Sequence, residues 1–377
     1  MSAASAALLC LAWAGQAQAA VVGSKPAASY QANGRVAVVV ISGNTAYLGG
    51  KFTSMRPAGD PLGTGEVTRN HAAAINLTTG ALLPWNPNVN GLVEAIKVSG
   101  STVYLGGGFG TVGGTSRKKI AAVDATSGAL IKGFKTTVNG EVRGIDLSNG
   151  HLYLGGAFTL PRPNAASVNP ATGAFNPGWT PTTDGPVDAI TTTQDGSNKV
   201  VLGGAFNTLN GVARNAIGAV SPSTGASLSW TWQGPHRGSF RPFDVVSFFT
   251  DSSGVYAAGT GNGGTVVKSD SNGNILWQAG ANGNTVGVAV VDGIAYIAGH
   301  FTVYCGAAMG VNGCSGTSRD HLMAVDATSG ALQSWHPAAN SNLGTFTIAG
   351  GSRVLATGGD FTKLGGVAQQ GFGEFKE

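Results

Sequence analysis

The sequence is poor in charge, in cysteine and in long apolar runs. Charged residues make up 11% of the 377 residues, and cysteine occurs only three times. Basic residues never form a run longer than Arg117-Lys118-Lys119, so no stripe is present that would bind nucleic acid. Beyond the first 19 residues, no stretch approaches the roughly 18 apolar residues of a membrane-spanning helix. These shortages argue against a nucleic-acid-binding protein and against a helical membrane protein.

Glycine is the residue in excess, with 61 of the 377 positions. Each glycine inside a helix costs about 1 kcal/mol relative to alanine, so long helices are not expected. The glycines have no three-residue period, which excludes collagen, and a hydrophobic content of 42% is too high for a disordered chain. The composition predicts a turn-rich, all-β globular protein.

Residues 1–19 have the pattern of a secretory signal peptide. An apolar stretch at residues 6–14 precedes Ala17-Gln18-Ala19, a small-x-small cleavage site. Cleavage after Ala19 would leave a secreted chain of residues 20–377, which we predict to be one domain. Two cysteines remain, Cys305 and Cys314, and in an oxidising compartment we expect them to form a disulfide bond.

One motif recurs seven times along the chain. Its first copy reads YLGGKFT, and later copies keep the central glycine and, in most cases, the aromatic residue. Each unit of 40–60 residues also contains further strand-like runs separated by glycine-rich turns. Four strands in a unit of this length is typical of one β-propeller blade. The copies begin at Tyr47, Tyr104, Tyr153, Val201, Tyr256, Tyr296 and Ala356.

The two ends of the chain predict how the ring closes. The last unit stops after its third strand, at residues 372–375, whereas residues 21–30 precede the first inner strand. One N-terminal strand would complete the last blade and leave no long unpaired edge. The sequence therefore predicts an all-β, seven-bladed β-propeller of four-stranded antiparallel blades, closed by an N-terminal strand in the last blade.

The repeat resembles two known groups of propeller proteins. Tyr-Leu-Gly-Gly-x-Phe-Thr followed by Ala-x-Asp-x-x-Thr-Gly-x-Leu is similar to the delta-60 repeat of secreted actinobacterial proteins, over nearly the whole mature chain. This resemblance implies a fold and a location more than an activity. Residues 324–335 resemble the docking motif of quinoprotein propellers. The chain lacks the adjacent cysteines and eight blades of those dehydrogenases, so this likeness implies contacts between blades and no cofactor.

Three residue types recur at equivalent positions, and each has two interpretations. Aromatic residues after the Thr-Gly turns either pack between blades or form stacking platforms for sugars. Arginines before the third strand either hold loop carbonyls or recognise anions. His71 and His321 are either structural or candidate bases and ligands. Because a packing requirement recurs and a binding site rarely does, repetition favours the structural interpretation. The recurring residues are Trp85, Phe134, Trp179, Trp230, Trp277 and Trp335, and Arg69, Arg117, Arg162, Arg214 and Arg319.

Inner strands line the central channel of a propeller, and three neighbouring ones carry charge. Two carboxylates with an arginine between them can exchange protons or hold a cation, or they can form a salt-bridged plug, which we favour. If the protein is an enzyme, the first catalytic candidates are Glu94, Asp188, Arg143 and His236. The residues taken to follow the repeated valine are Ala37, Glu94, Arg143, Asp188, Val246, Gly287 and Thr347.

Irregular loops supply the strongest functional signal. Two loops between second and third strands are expanded, residues 51–69 and 302–319, and so is the connection at residues 232–243. In a four-stranded meander these loops emerge at the same end, which we call the loop-rich end. Binding residues concentrate on such loops, and aromatic and arginine side chains suit recognition of proteins or glycans. The predicted binding residues are Trp232, His236, Arg237, Phe240, Arg241, Tyr304, Arg56 and Asp60.

These features predict a secreted, monomeric binding module. Its ligand would be an extracellular or cell-surface glycan or protein, held at the loop-rich end without a cofactor or a metal. The alternative is a secreted polysaccharide hydrolase or lyase, or a tailoring enzyme of secondary metabolism, with its site at the channel mouth. A third interpretation is an envelope-associated spacer. The sequence has no GxSxG elbow, phosphate-binding loop or HExxH motif, which favours binding over catalysis.

Overall fold

The computed structural model describes residues 22–234 and 243–377, and the regular secondary structure of these two ranges consists of β-strands. Valine is the most frequent residue of the strands, as expected for pleated and largely buried surfaces. The two ranges contain no helix with the length and apolar character required to span a bilayer. The predicted all-β class is confirmed. The predicted signal peptide, residues 1–19, lies outside the described residues.

Seven antiparallel sheets share one plan, and we number them 1 to 7 in chain order. In each, an inner strand pairs with the second strand, which carries the repeated motif, and the second pairs with a third. Sheet 1 comprises Arg35–Ser42, Thr45–Lys51 and Ala72–Asn76, and sheet 2 comprises Val93–Ser99, Thr102–Gly107 and Ile120–Asp124. Sheet 3 comprises Glu141–Ser148, His151–Ala157 and Ala165–Val168. Sheet 4 comprises Val187–Thr192, Val200–Gly204, Ile217–Val220 and Ser227–Leu228. Sheets 5 to 7 comprise Asp244–Asp251, Gly254–Thr260, Gly264–Ser269 and Ile275–Ala281; Asn284–Val291, Ile294–His300 and Leu322–Asp326; and Thr345–Gly351, Val354–Gly359 and Phe372–Lys376.

The fourth strand is much shorter than predicted in most sheets. Only sheet 5 has a long one, Ile275–Ala281, and sheet 4 has the two-residue Ser227–Leu228. In sheets 1, 2, 3 and 6 the fourth strand is a single bridge, such as Ile75 with Leu82. Pro84 and Pro177 follow two of these bridges closely, and proline cannot donate to a strand ladder.

Short strands extend the loops at the loop-rich end. They form hairpins between the second and third strands of five sheets, and in sheet 1 an N-terminal strand joins the hairpin. These strands are Gln31–Ala32, Ser54–Arg56 and Val67–Thr68; Thr111–Val112 and Thr115–Ser116; Thr208–Leu209 and Val212–Ala213; Val303–Gly306 and Thr317–Ser318; and Lys363–Leu364 and Val367–Ala368.

Adjacent sheets approach one another closely at the repeated glycine pair. A Cβ on Gly49 would lie 2.5 Å from Cγ1 of Val93, a residue of the next inner strand. The same close contact recurs between Gly155 and Val187, and between Gly358 of sheet 7 and Val36 of sheet 1. The motif therefore contains glycine because the neighbouring sheet occupies the space of a side chain.

Every inner strand has a β-bulge directly after the residue that fits against this glycine, or against the alanine that replaces it in sheets 5 and 6. The register shifts between Val93 and Ala95, for example, so Glu94 is the extra residue. Bulges re-aim side chains, and here they project one residue per sheet toward the centre. The projected residues are Ala37, Glu94, Arg143, Asp188, Val246, Val286 and Phe346.

The predicted channel positions in sheets 6 and 7 are therefore wrong by one residue. Gly287 and Thr347 follow the bulge rather than form it. The error arose because threonine replaces the repeated valine in these two sheets. The Thr285 hydroxyl donates to the carbonyl of Gly259 at 2.9 Å, and the Thr345 hydroxyl donates to that of His321 at 2.7 Å.

The recurring aromatic residues fill the spaces between sheets, as the structural interpretation predicts. Trp179 is fully buried, and its indole N–H donates to the carbonyl of Ser221 in the next sheet at 3.0 Å. Its ring meets that of Tyr153 with centroids 5.2 Å apart. Trp85 and Trp277 donate to the next sheet in the same way. These rings are unavailable as sugar platforms.

At the junction between sheets 7 and 1, Val36, Val354 and Phe372 share one apolar cluster, and the N-terminal segment pairs with the last strand. Ala27 pairs with Glu374 in the last strand, and the Gly23 amide donates to the Lys376 carbonyl at 2.9 Å. Glu374 is fully buried, and its only cationic neighbour among the described residues is Lys376 Nζ, 2.9 Å from Oε1. Burial raises the pKa of Glu374, and Lys376 opposes the shift only in part.

Substituting Gly155→Ala should lower the free energy of unfolding by about 1–3 kcal/mol, because the new methyl group would overlap Val187. Gly133→Ala is the matched control, since a Cβ there meets no atom within 4 Å and should leave stability unchanged or slightly higher. Urea unfolding of both variants measures the difference. Equal stability of the two would contradict the close-approach explanation.

Substituting Glu374→Gln should raise the melting temperature at neutral pH. The folded-state pKa of Glu374 lies above its ordinary value of 4.5, so the folded chain loses stability as pH rises through that raised value. The difference between variant and wild type should vanish below about pH 4.5, where the carboxyl is protonated in both states. A lower melting temperature at neutral pH would mean that the contact with Lys376 outweighs the cost of burial.

Candidate functional site

A cavity of about 750 Å³ opens at the loop-rich end between sheets 5 and 6. We call it the sheet 5–6 cleft. It is bounded by the loop after the second strand of sheet 5, by the connection between the two sheets, and by the start of the long loop of sheet 6. Its described lining is Gly261, Asn262, Gly263, Asn282, Gly283, Asn284, His300, Phe301, Thr302 and Asn312.

The cleft results from a contrast in loop length. Sheet 5 turns from Thr260 to Gly264 through three residues, whereas sheet 6 uses an expanded loop at the same position. That loop folds toward sheet 5, where Tyr304 pairs with Ala281 and the Asn312 amide donates to the Asn262 carbonyl at 3.0 Å. The predicted Cys305–Cys314 disulfide is confirmed, and it closes the segment that contains Asn312.

The lining of the cleft is polar but carries no carboxylate, lysine or arginine among the described residues. Asn262 and Asn312 are exposed. Asn284 is half-buried, and its side-chain oxygen Oδ1 accepts a hydrogen bond from the Gly261 backbone amide at 3.5 Å. The exposed His300 ring stacks on the buried His321, with centroids 5.9 Å apart and planes 16° from parallel. Burial is the main cause that lowers the pKa of His321, and the nearby His300 lowers it further.

One lining residue, Asn282, belongs to a repeated structural clamp. Its side-chain oxygen accepts the amides of Thr302 and Val303 at 2.9 and 3.0 Å, which ties the connection between sheets to the next loop. The clamp occurs in six connections. In the sequence, the signal that could have predicted it is an asparagine or aspartate shortly before each inner strand. The clamping residues are Asn33, Asn90, Asn139, Asp184, Asn282 and Asn340.

Four predicted binding residues, His236, Arg237, Phe240 and Arg241, lie outside the described residues. Trp232 is only 7% exposed and packs edge-on against Phe243, in a core cluster that Met309 of the sheet 6 loop also contacts. The structure therefore corrects the prediction for Trp232, because its ring is part of the core. Two of the three expanded segments do meet, at this cluster.

The loop of sheet 1 gives a second correction. Arg56 is 5% exposed, and its guanidinium donates to the backbone oxygen of Asp60 at 2.9 Å and to Gln370 Oε1 at 2.8 Å. It therefore holds its own loop together and cannot meet a ligand. Asp60 is half-buried beside it, and Tyr304 is half-buried against the core of sheets 5 and 6.

The recurring arginines bind carbonyls, as the structural interpretation predicts. Arg69 donates to the Leu83 carbonyl at 2.9 Å, and Arg319 donates to that of Gln333 at 2.9 Å. His71 adopts a left-handed backbone conformation with φ 63° at the entry to its third strand, and His321 does so with φ 70°. His71 and His321 therefore occupy equivalent positions because both form the same left-handed turn before a third strand.

The charged residues of the inner strands do converge at the channel. Arg143 lies between Asp188, 2.7 Å from Nη1, and Glu141, 3.0 Å from Nη2. Glu94, Arg143 and Asp188 line a narrow channel cavity of about 180 Å³. Glu141 and Asp244 begin the inner strands of sheets 3 and 5, so they lie at the loop-rich mouth of the channel. The sequence pattern did not predict these two residues as part of the channel.

Two of these carboxyl groups have raised pKa values. Burial, reinforced by the charge of Asp188 and a hydrogen bond with it, raises the pKa of Asp244 to about 8. Burial also raises the pKa of Glu94, with Glu141 and Asp188 adding to the shift while Arg143 and Lys119 oppose it. Among the described residues, no group of three or more histidine, cysteine, aspartate or glutamate side chains is arranged to hold a metal ion.

Comparisons with known proteins identify the fold but no relative. No family model and no curated protein matches the sequence. The WD40 domain of Doa1 is similar in structure, with a TM-score of 0.55 at 11% identity over 94% of this chain and 97% of that one. The RRP9 WD40 repeats give 0.56 at 11% identity, covering 94% and 99%. The fold is a β-propeller. The propeller also resembles the computationally designed protein Ika8, with a TM-score of 0.51 at 12% identity over 94% and 100% of the two chains.

Substituting Asp244→Asn should flatten the loss of stability that the wild type shows up to about pH 8. Because the folded-state pKa of Asp244 is about 8 and its ordinary value is 3.8, the wild-type propeller should lose stability as pH rises between these two values and level off above pH 8. Melting temperatures between pH 6 and pH 9 measure the effect, with Asp360→Asn, an exposed carboxylate of the same end, as control. Parallel curves for wild type and Asp244→Asn would contradict the raised pKa.

Proposed function

We propose that this propeller is a secreted binding module that holds a neutral extracellular or cell-surface glycan in the sheet 5–6 cleft. The observation that carries the proposal is the lining of the cleft, in which the described residues supply amide, hydroxyl and imidazole groups but no carboxylate, lysine or arginine. Sugar hydroxyls both donate and accept hydrogen bonds, and an asparagine amide supplies both partners. The volume of about 750 Å³ falls within the usual range of about 300–1,000 Å³ for ligand sites.

The histidine pair supports a sugar ligand for a second reason. The buried His321 supports one face of the exposed His300 ring, so the ring is held flat at the edge of the cleft. A supported ring of this kind offers an apolar face to the C–H groups of a sugar and a polar edge to its hydroxyls.

We further propose that the chain is a closed, seven-bladed, monomeric member of the delta-60 repeat group. The seven sheets of common plan and the repeated motif support this count. The contact between Gly358 and Val36 and the pairing of Ala27 with Glu374 support closure by the N-terminal segment.

Secretion is part of the same proposal. The signal-like pattern of residues 1–19 supports it, as does the Cys305–Cys314 disulfide, because disulfides persist mainly in oxidising compartments.

A second candidate function, an enzyme acting on polysaccharides or secondary metabolites at the channel mouth, is favoured by one observation. Burial and the neighbouring Asp188 raise the pKa of Asp244 to about 8, and a carboxyl that keeps its proton near neutral pH suits a general acid. The direct pairing of Arg143 with Asp188 and Glu141 and the small channel volume of about 180 Å³ favour the plug instead.

The test is glycan-array binding followed by calorimetry on the glycans found. Asn262→Ala and Asn312→Ala should each weaken binding about tenfold, which corresponds to about 1.4 kcal/mol. Asn44→Ala removes an exposed amide from the opposite end and should leave binding unchanged. The pair Cys305→Ser with Cys314→Ser should also weaken binding, because the segment that presents Asn312 loses its covalent constraint.

Two results would overturn the glycan proposal. One is binding that survives both asparagine substitutions, which would place the ligand elsewhere. The other is turnover of a polysaccharide that is lost in Asp188→Asn, which would support the enzyme. If no glycan binds but an extracellular protein does, and Asn262→Ala weakens that complex, the loop-rich end binds protein instead.

A further inference from the structure

We propose that the loop-rich end also docks on an anionic lipid surface, with aliphatic side chains of the loop tips entering the interfacial layer and basic side chains meeting the headgroups. The proposal goes beyond glycan binding and does not depend on the sheet 5–6 cleft. It rests on two asymmetries between the ends of the propeller, one in exposed apolar residues and one in charge.

Exposed aliphatic residues concentrate at the loop-rich end. Of the eight large hydrophobic residues that are exposed among the described residues, six lie in its loops, with exposures of 38–64%. The remaining two, Ile275 and Leu276, begin the fourth strand of sheet 5 at the opposite end. The six are Leu62, Val67, Leu160, Val212, Val311 and Leu343.

Local sequence keeps these side chains outside the core. Val212 follows Gly211 in a hairpin whose strands are two residues long. This hairpin is too short to fold the Val212 side chain back onto the core. Leu62 lies between Pro61 and Gly63 at the tip of the sheet 1 loop, and it is 64% exposed. Apolar residues at the tips of separate, short loops cannot bury one another, and insertion into an apolar layer would remove them from water.

The repeat itself produces the charge asymmetry. At the opposite end, the turns between third and fourth strands of sheets 2 and 6 use an aspartate whose oxygen accepts two turn amides, Asp124 and Asp326, whereas sheets 1 and 3 use the neutral Asn76 and Asn169. At the loop-rich end, the recurring arginines engage neutral carbonyls and keep their charge. The repeat therefore adds acidic residues to one end and basic residues to the other.

Exposed lysines add to the basic end. Lys51, Lys118 and Lys363 are exposed there, and no described carboxylate lies within 4 Å of them. Asp360 is an exposed carboxylate of this end, whereas other carboxylates there are engaged, as Asp184 is by the amides of Asn207 and Thr208. Glu141 and Asp188 pair with Arg143.

The combination favours a bilayer over a soluble acidic polymer. A polyanion would satisfy the lysines but offers no apolar layer for the six aliphatic side chains. Anionic bilayers supply both, since their headgroups attract basic residues and their apolar layer removes aliphatic side chains from water.

Sedimentation with lipid vesicles tests the proposal on the full chain. The protein should bind vesicles of phosphatidylcholine mixed with phosphatidylglycerol, bind phosphatidylcholine alone much more weakly, and release as salt is raised. The pair Leu160→Ser with Val212→Ser should weaken binding about tenfold, as should Lys118→Ser with Lys363→Ser. The vesicles contain no glycan, so their binding is measured separately from the proposed function.

Matched substitutions at the opposite end are the controls. Ile275→Ser with Leu276→Ser removes the same kind of exposed aliphatic surface, and Arg353→Ser removes an exposed cation. Both should bind vesicles as wild type does, and circular dichroism checks that every variant is folded. Equal loss in the Ile275 and Leu276 control would overturn the assignment of the docking end. If the Lys118→Ser and Lys363→Ser pair weakens vesicle binding but the Leu160→Ser and Val212→Ser pair does not, bilayer insertion is overturned in favour of an acidic polymer.

Discussion

Neighbouring sheets approach so closely at the repeated glycine pair that a side chain is excluded there. Gly49, Gly155 and Gly358 each receive a valine of the adjacent inner strand. Where the second strand has alanine instead, as at Ala258 and Ala298, the adjacent residue is Thr285 or Thr345, whose hydroxyl bonds to the backbone. This contact sets the spacing between sheets, and the aromatic wedges and the inner-strand bulges are arranged around it.

The bulges connect packing to chemistry. Because the residue before each bulge must fit against a glycine, the extra residue is turned toward the centre of the propeller. Four of the seven positions carry neutral residues, one being Phe346, whose ring lies 4.4 Å from the Arg35 guanidinium. Glu94, Arg143 and Asp188 occupy the other three, in adjacent sheets. The channel chemistry is therefore confined to one sector, in which ion pairs join Arg143 to Asp188 and Glu141.

Residues that repeat were easier to interpret than residues that do not. The wedge role of Trp179, the carbonyl contacts of Arg69 and Arg319 and the disulfide followed from repetition and spacing. Trp232 and Arg56 were misassigned because they lie in irregular loops, and a loop sequence does not reveal whether an aromatic ring or a guanidinium folds inward. Asn262, Asn284 and Asn312 were missed because they are far apart in sequence and share no motif.

The sequence alone determined the strand content, the repeat and the end at which the long loops emerge. These properties depend on local rules, namely glycine turns, alternating strands and the antiparallel order of a meander. Only the tertiary structure decided which side chains are exposed, where the sheet 5–6 cleft opens, and that Glu141 and Asp244 join the channel charges. Those properties depend on contacts between distant segments, which a periodic sequence pattern does not encode.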